Sequence, residues 1–269
     1  CVALPARVAS VGLDHEPPWV VFYILPFRYL YLMLALIECS AALVIFVRRA
    51  DLRVPIVIAG FFGGILEVVS EVWYMDDYWH PLSIIPNWPA PEDFLYGFGV
   101  TALTVCAVPV LTNSTYKQQA SIDQRSPRMR GSNVFGLAFS AAVFAAYMTI
   151  APLYMSGTPS IWLAFIAFTG LGLSTLYVNW RNIGIGLVTG IVMGLMALVG
   201  YGVGLNFVVD GDAFLRQVWL LYGTPWDARI LGNVPVDEVA WNTARGWCIA
   251  LIYLEISCQQ LVVRKDATK

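Results

Sequence analysis

Two short acidic motifs stand immediately ahead of apolar runs: Pro91-Glu92-Asp93-Phe94 and Pro235-Val236-Asp237-Glu238-Val239. Carboxyls at the mouth of a greasy segment are costly to keep, and proton transfer is the chemistry they suit. A carboxyl in low dielectric holds its proton and can later donate it. Two adjacent carboxyls drive each other's titrations apart, leaving one the acid and the other the base. A second set of acids lies inside apolar runs. Glu38, Glu67, Glu71 and Glu255 sit where ionised groups are expensive, and such acids are functional candidates. Glu67 and Glu71 are four apart and share a helix face with Tyr74, three further on. Tyr74, Tyr78, Trp79, Phe94, Tyr96 and Trp241 flank the acids, and aromatic faces stabilise a passing cation. The candidate catalytic residues are Glu92, Asp93, Asp237, Glu238 and Glu67. Glu71, Tyr74, Tyr78, Trp79, Phe94 and Trp241 are candidate substrate contacts.

Plainer roles exist for all of them. Acids at a helix start cap free amides and suit the helix dipole, and proline in the first turn is ordinary. An acid inside a span can be a hydrogen-bonded structural group, and Glu71 and Glu255 can simply lie near an interface. Asn242 and Arg245 share a face of the last apolar run and could pair with the outer acids, as a structural ion pair. Asp76, Asp77 and His80 could join Glu92 around a metal, but one His is a thin ligand set and a solvated loop is the expectation; no metal site is expected. Cys39, Cys106, Cys248 and Cys258 fall in apolar runs as small packing groups, without metal or disulfide spacing.

The elements that must hold these groups are membrane spans. Apolar residues make up 58% of the chain and charged residues 13%, with a mean hydropathy of +0.67, where a soluble domain carries about 25% charge. Runs near the ~20 residues that cross a bilayer lie at Phe22–Val47, Val54–Trp73, Phe94–Leu111, Val134–Leu153, Ile161–Val178, Ile183–Phe207 and Val239–Leu261. The expected fold is an all-α integral membrane protein of seven helices. Basic residues divide by side. Arg48, Arg49, Arg53, Lys117, Arg125, Arg128, Arg130, Arg181, Arg264, Lys265 and Lys269 fall in one set of connections. Arg7, Arg28, Arg216, Arg229 and Arg245 fall on the other side. The positive-inside rule puts the larger set in the cytoplasm, the N-terminus outside and the C-terminus inside. Both acidic motifs are then outer. Trp73, Trp79, Trp88, Trp219, Trp226 and Trp241 cluster at the same boundary, where indoles prefer to sit.

The pattern repeats. Spans two and six each begin after an arginine, Arg53 and Arg181. Each is followed by an acidic, aromatic outer loop, a Pro-acid-acid motif and a further helix. Spans one to three therefore match spans five to seven, with span four as linker, which is a parallel 3+1+3 repeat. The boundaries read as an outer segment at 1–21, a first unit at 22–112, a loop and linker helix at 113–158, a second unit at 159–262 and a tail at 263–269. Gly186, Gly190 and Gly194, then Gly200 and Gly204, give span six small residues for close helix packing.

On these motifs the chain resembles the integral-membrane lycopene β-cyclases of bacteria, archaea and fungi, which are built of three-helix units with a Pro-x-Glu-Glu/Asp motif ahead of each third helix. Pro235-Val236-Asp237-Glu238 fits that motif with Asp first, and Trp226-Asp227-Ala228-Arg229-Ile230-Leu231-Gly232-Asn233-Val234 resembles the family's lead-in. The first copy departs from it, because Pro91 directly precedes Glu92, although Pro89 is nearby. The resemblance implies an isomerase-type cyclisation of a carotenoid or other long isoprenoid with no cofactor required. An acid would protonate a terminal double bond, the cation would close a ring, and a proton would be lost. A bound carotenoid or lipid fits this reading.

Two other classes stand beside it. A small-solute or proton transporter also suits a parallel repeat, with the acids as proton or substrate sites. A non-catalytic subunit of a larger membrane complex would keep the cyclase-like shape alone. The bilayer is the expected surrounding, and no nucleic-acid partner is expected. A retinal receptor is refuted by the lysines, because Lys117, Lys265 and Lys269 all lie outside span seven.

Overall fold

The computed structural model describes residues 26–82, 90–118, 142–178, 180–257 and 259–264. The expected outer segment at 1–21, the starts of spans one and four, and Arg7, Trp88, Pro89, Arg125, Arg128, Arg130, Cys258, Lys265 and Lys269 lie outside the described residues. The described residues form eight α-helices: α1 (Phe27–Arg48), α2 (Arg53–Asp77), α3 (Pro91–Leu111), α4 (Ala142–Tyr154), α5 (Ser160–Val178), α6 (Ile183–Val203), α7 (Gly211–Val218) and α8 (Val236–Ser257). Five of them are long and apolar enough to cross a membrane: α1, α2 with its leading turn, α3, α5, and α6 with the turns at its two ends. The chain is thus a mostly helical, multi-pass membrane protein in contact with the bilayer. Exposed faces of Val44, Val47, Val54, Val57, Phe61 and Leu66 supply the lipid-facing surface. α8 has the length but carries Asp237, Glu238, Arg245 and Glu255.

Local chemistry sets the helix starts. Pro91 opens α3 at a position where its missing N–H costs nothing. The Asp93 carboxylate accepts from the Ala90 amide at 3.2 Å, closing the first turn. Asp77 caps α5, accepting from the Ser160 amide at 3.1 Å and its hydroxyl at 2.6 Å. Asp210 does the same for α7, taking the Ala213 amide at 3.1 Å. α6 relaxes into one π-helical stretch over Gly204–Val208 before the chain turns away.

Each third helix is a hub. α3 packs along both α1 and α2, and α8 along both α5 and α6. Glycines let the backbones approach. A Cβ on Gly63 would stand 2.1 Å from the Thr101 hydroxyl oxygen, and one on Gly194 2.2 Å from that of Thr243. The contacts also correspond in register. Gly60 meets Phe98 and Gly64 the Phe94 carbonyl, while Gly190 meets the Thr243 carbonyl and Gly194 that of Val239. Gly200 and Gly204 face α1 through Leu34 and Leu30.

The two ends of the bundle differ. At the arginine-rich end, β1 (Ser114–Gln118) pairs antiparallel with β4 (Gln259–Val263), Ser114 opposite Val263. The last apolar run therefore stops being helical at Ser257 rather than continuing to Leu261: the chain has left the apolar slab, and Gln259, Gln260, Val262 and Val263 find backbone partners in a strand. Arg49 ties this sheet to α1, donating to the Ser114 carbonyl at 2.6 Å. At the tryptophan-rich end, Trp79 and Trp219 pair through their backbones, and the Trp226 indole donates to the Gly157 carbonyl at 3.1 Å. Here α7 and the hairpin of β2 (Arg229–Ile230) and β3 (Val234–Pro235) form a small layer absent from the sequence expectation. Its turn needs glycine at 232, where φ is +90° and a Cβ would fall 2.5 Å from the Asn206 side-chain oxygen.

Candidate functional site

Glu67 and Glu71 stand one turn apart on α2 and point into the bundle, with Tyr74 and Tyr78 continuing the same face toward the tryptophan-rich end. Glu238, in the first turn of α8, meets them there. Together with Tyr31, Trp79, Tyr96, Ile161, Tyr201 and Trp241 they line a narrow cavity of about 20 Å³. That is room for about one water molecule. Every wall is acidic or aromatic except Ile161, and the walls come from α1, α2, α3, α5, α6 and α8.

The acids are held differently. Glu238 is saturated: the Tyr78 hydroxyl donates to Oε1 at 2.5 Å, and the Asn242 amide donates to Oε2 at 3.3 Å and to the Glu238 carbonyl at 3.0 Å. Glu67 Oε2 lies 2.9 Å from Arg245 Nη1 in an ion pair whose two side chains are almost wholly buried. Arg245 also donates to the Thr101 hydroxyl at 3.2 Å and lies 4.7 Å from the centre of the Trp241 ring. Glu71 is 1% exposed, and neither of its carboxyl oxygens has a hydrogen-bond partner among the described residues, although Trp79 lies beside it. Glu38, from α1, adds another carboxyl near Arg245. One guanidinium thus faces the carboxyls of Glu38, Glu67 and Glu238. An unmatched buried carboxylate is far more costly than a protonated one, so this cluster is built to hold protons.

Aromatic packing fixes the walls. The Trp241 indole donates to the Tyr74 hydroxyl at 3.0 Å. Trp79 meets Tyr31 edge to face at 4.9 Å between ring centres, and Trp219 meets Tyr78 likewise at 4.9 Å.

The remaining candidates lie around the cavity and do not line it. Asp93 sits beside the Tyr31 hydroxyl, its other oxygen engaged with the Ala90 amide. By the glycine register it occupies the position equivalent to Glu238, one methylene shorter. Asp237 is buried, beside Trp219, with one oxygen on the Glu238 amide at 3.0 Å. Glu92 is buried at the start of α3. Phe94 turns to α2, against Gly64 and the rings of Phe61 and Phe98. Glu255 belongs to the opposite end, where Asn182 donates to it at 3.5 Å. Tyr31, Ile161 and Tyr201 were not singled out in the sequence. No local pattern marks them, because they reach the cavity only through packing of α1, α5 and α6.

Outside the spans, Arg229 organises the outer layer. It donates to both Asp227 oxygens at 2.7 Å and to Asp212 at 3.0 Å, with its guanidinium 4.5 Å over the Tyr222 ring. The Arg229 hydrogen bond holds the Asp227 carboxyl below its ordinary range; for Asp212 the Tyr222 hydrogen bond leads, followed by Arg229.

No protein-family description, curated protein or solved structure matches this chain.

Proposed function

We propose that this protein is a membrane-embedded isoprenoid cyclase, lycopene-cyclase-like in architecture and chemistry, that works by proton-initiated ring closure without a cofactor. One observation carries the reading: acids from both halves, Glu67 and Glu71 from α2 and Glu238 from α8, meet in a single aromatic cavity. The reading takes α1–α3 and α5–α8 as two parallel three-helix units joined by α4, with α8 the seventh span, at the boundaries drawn from the sequence. It places the arginine-rich end in the cytoplasm, with the N-terminus outside. The matching roles of α3 and α8 as hubs, and the shared glycine register, support this repeat.

The hydrogen-bond environments divide the labour. Glu71 makes no hydrogen bond in the resting geometry and has the Trp79 indole beside it, which suits the acid. Glu238 receives donors on both oxygens, which suits the base. Glu71 passes its proton to one carbon of a terminal double bond, and its own O–H bond electrons return to the carboxyl. The other carbon becomes a cation. The next double bond supplies its π pair to that cation and closes the ring. A neighbouring C–H bond gives its proton to Glu238, and its electrons restore a double bond. The product is an isomer of the substrate, and nothing is oxidised. Returning the proton from Glu238 to Glu71 resets the site. Trp79, Trp241 and the five tyrosines stabilise the cation through their rings. The resting cavity, at about 20 Å³, is too small for an end group of a long carotenoid, so the aromatic walls part to admit one while the rest of the chain stays in lipid.

The test is expression in a host that accumulates lycopene and other acyclic isoprenoids, with extracts analysed for new cyclic products. The parent chain should give a product that takes up deuterium from heavy water. Glu71→Gln and Glu238→Gln should each lower its yield by ~10²–10⁴-fold while the protein still purifies folded. If the parent makes no new product from any of several acyclic isoprenoids, the reading is wrong and a non-catalytic subunit of a membrane complex takes its place.

A further inference from the structure

The arginine-rich end carries an open basin of about 320 Å³, lined by Arg48, Ala50, Asp51, Thr115 and Arg264. Segments far apart in sequence build it: the end of α1, the turn after it, β1, and the residue following β4. The frame is firmly tied. Arg49 binds the two Asp51 oxygens at 2.9 and 2.8 Å, and the Arg264 amide donates to the Asn113 carbonyl at 2.9 Å. Arg49 therefore answers the charge of Asp51. The Arg264 guanidinium stands 3.9 Å from Asp51, at the limit of an ion pair, and is 44% exposed. Arg48 is exposed and forms no ion pair with a described residue. Near this end, Val44 and Val47 on α1 and Val54 and Val57 on α2 are exposed.

We propose that this basin binds the phosphate of an acidic membrane lipid, with Arg48 and Arg264 on the phosphate oxygens and the acyl chains along the valine face. Guanidinium matches phosphate through paired hydrogen bonds. Basic pockets at the membrane boundary attract acidic headgroups. A free phosphate could satisfy the arginines equally; the basin's place at the end of the bilayer-facing valines of α1 and α2 favours a headgroup already held at that boundary. The proposal is independent of any activity in the aromatic cavity.

The experiment uses the full chain in detergent micelles, titrated with dioleoyl-phosphatidylglycerol or dioleoyl-phosphatidylcholine and read by native mass spectrometry. The acidic lipid should bind about tenfold tighter than the neutral one. The Arg48→Gln/Arg264→Gln double variant should abolish that preference, and Arg48→Lys/Arg264→Lys should recover part of it. Equal binding of the two lipids overturns the proposal, as does a Gln variant that binds phosphatidylglycerol like the parent. If the double variant does not fold, Arg48→Gln alone, at an exposed helix end, must still weaken the preference. Sodium phosphate alone should bind much more weakly than phosphatidylglycerol; binding of equal strength overturns the lipid assignment in favour of a soluble ligand.

Discussion

Arg245 shows how much one side chain can decide in a dry interior. It answers Glu67, braces Thr101 and lies over Trp241, so its loss leaves a carboxylate unmatched among others. Arg245→Met should destabilise the protein by about 3–5 kcal/mol, the usual cost of breaking a buried pair from one side. Adding Glu67→Gln should restore much of that loss in thermal melts in detergent. If the double variant melts no higher than the single one, the pair is not what the arginine serves. Individual acids and rings were legible in the sequence, because charge inside an apolar run is conspicuous. Their partners were not. The Tyr78–Glu238 bond joins residues 160 positions apart, and the division between Asp93 and Glu238 rests on one methylene that no motif reveals.

Helices carry these groups, and their packing tolerates little. Gly63→Val should force α2 away from α3, since even a Cβ there would overlap Thr101; the expected cost is about 1–3 kcal/mol. Gly184→Val, at a position open to its surroundings, should melt with the parent. The outer hairpin responds to pH instead. Asp227 has its carboxyl held below the ordinary range by Arg229, so its stabilisation is complete above about pH 4 and fades as pH falls through its folded-state value. Asp227→Asn should lower the melting temperature at neutral pH, and the gap to the parent should close toward pH 3; a gap that widens there would refute the assignment. Five of the seven expected spans were legible as apolar runs of the right length; among the described residues α4 is shorter and α8 carries more charge than a plain span. The ends of α8 and the whole of α7 were not legible, because strand pairing and short amphipathic helices depend on neighbours distant in sequence.

Across the whole molecule, sidedness is the claim most open to a direct measurement. A reporter cysteine at Lys117, in β1, and one at Met155, just after α4, should be labelled by an impermeant reagent from opposite sides of the membrane. Labelling of both from one side would sink the seven-span arrangement. That acids of α2 and α8 line one cavity was not legible in the sequence, since motif order says nothing about which faces of the two helices meet.

The pairing of β1 with β4 also has a consequence in time. At roughly 5–20 residues per second of synthesis, on the order of ten seconds pass between the emergence of Ser114–Gln118 and that of its partner Gln259–Val263. Through that interval β1 is an open strand edge, the kind that invites wrong pairings. Its Lys117 is the sort of charge that discourages them. The later strand is therefore the latch that joins the carboxyl ends of α3 and α8. A nascent chain halted before Gln259 would present inserted helices with their final fastening undone, a recognisable mark of incompleteness for the quality-control machinery of the membrane.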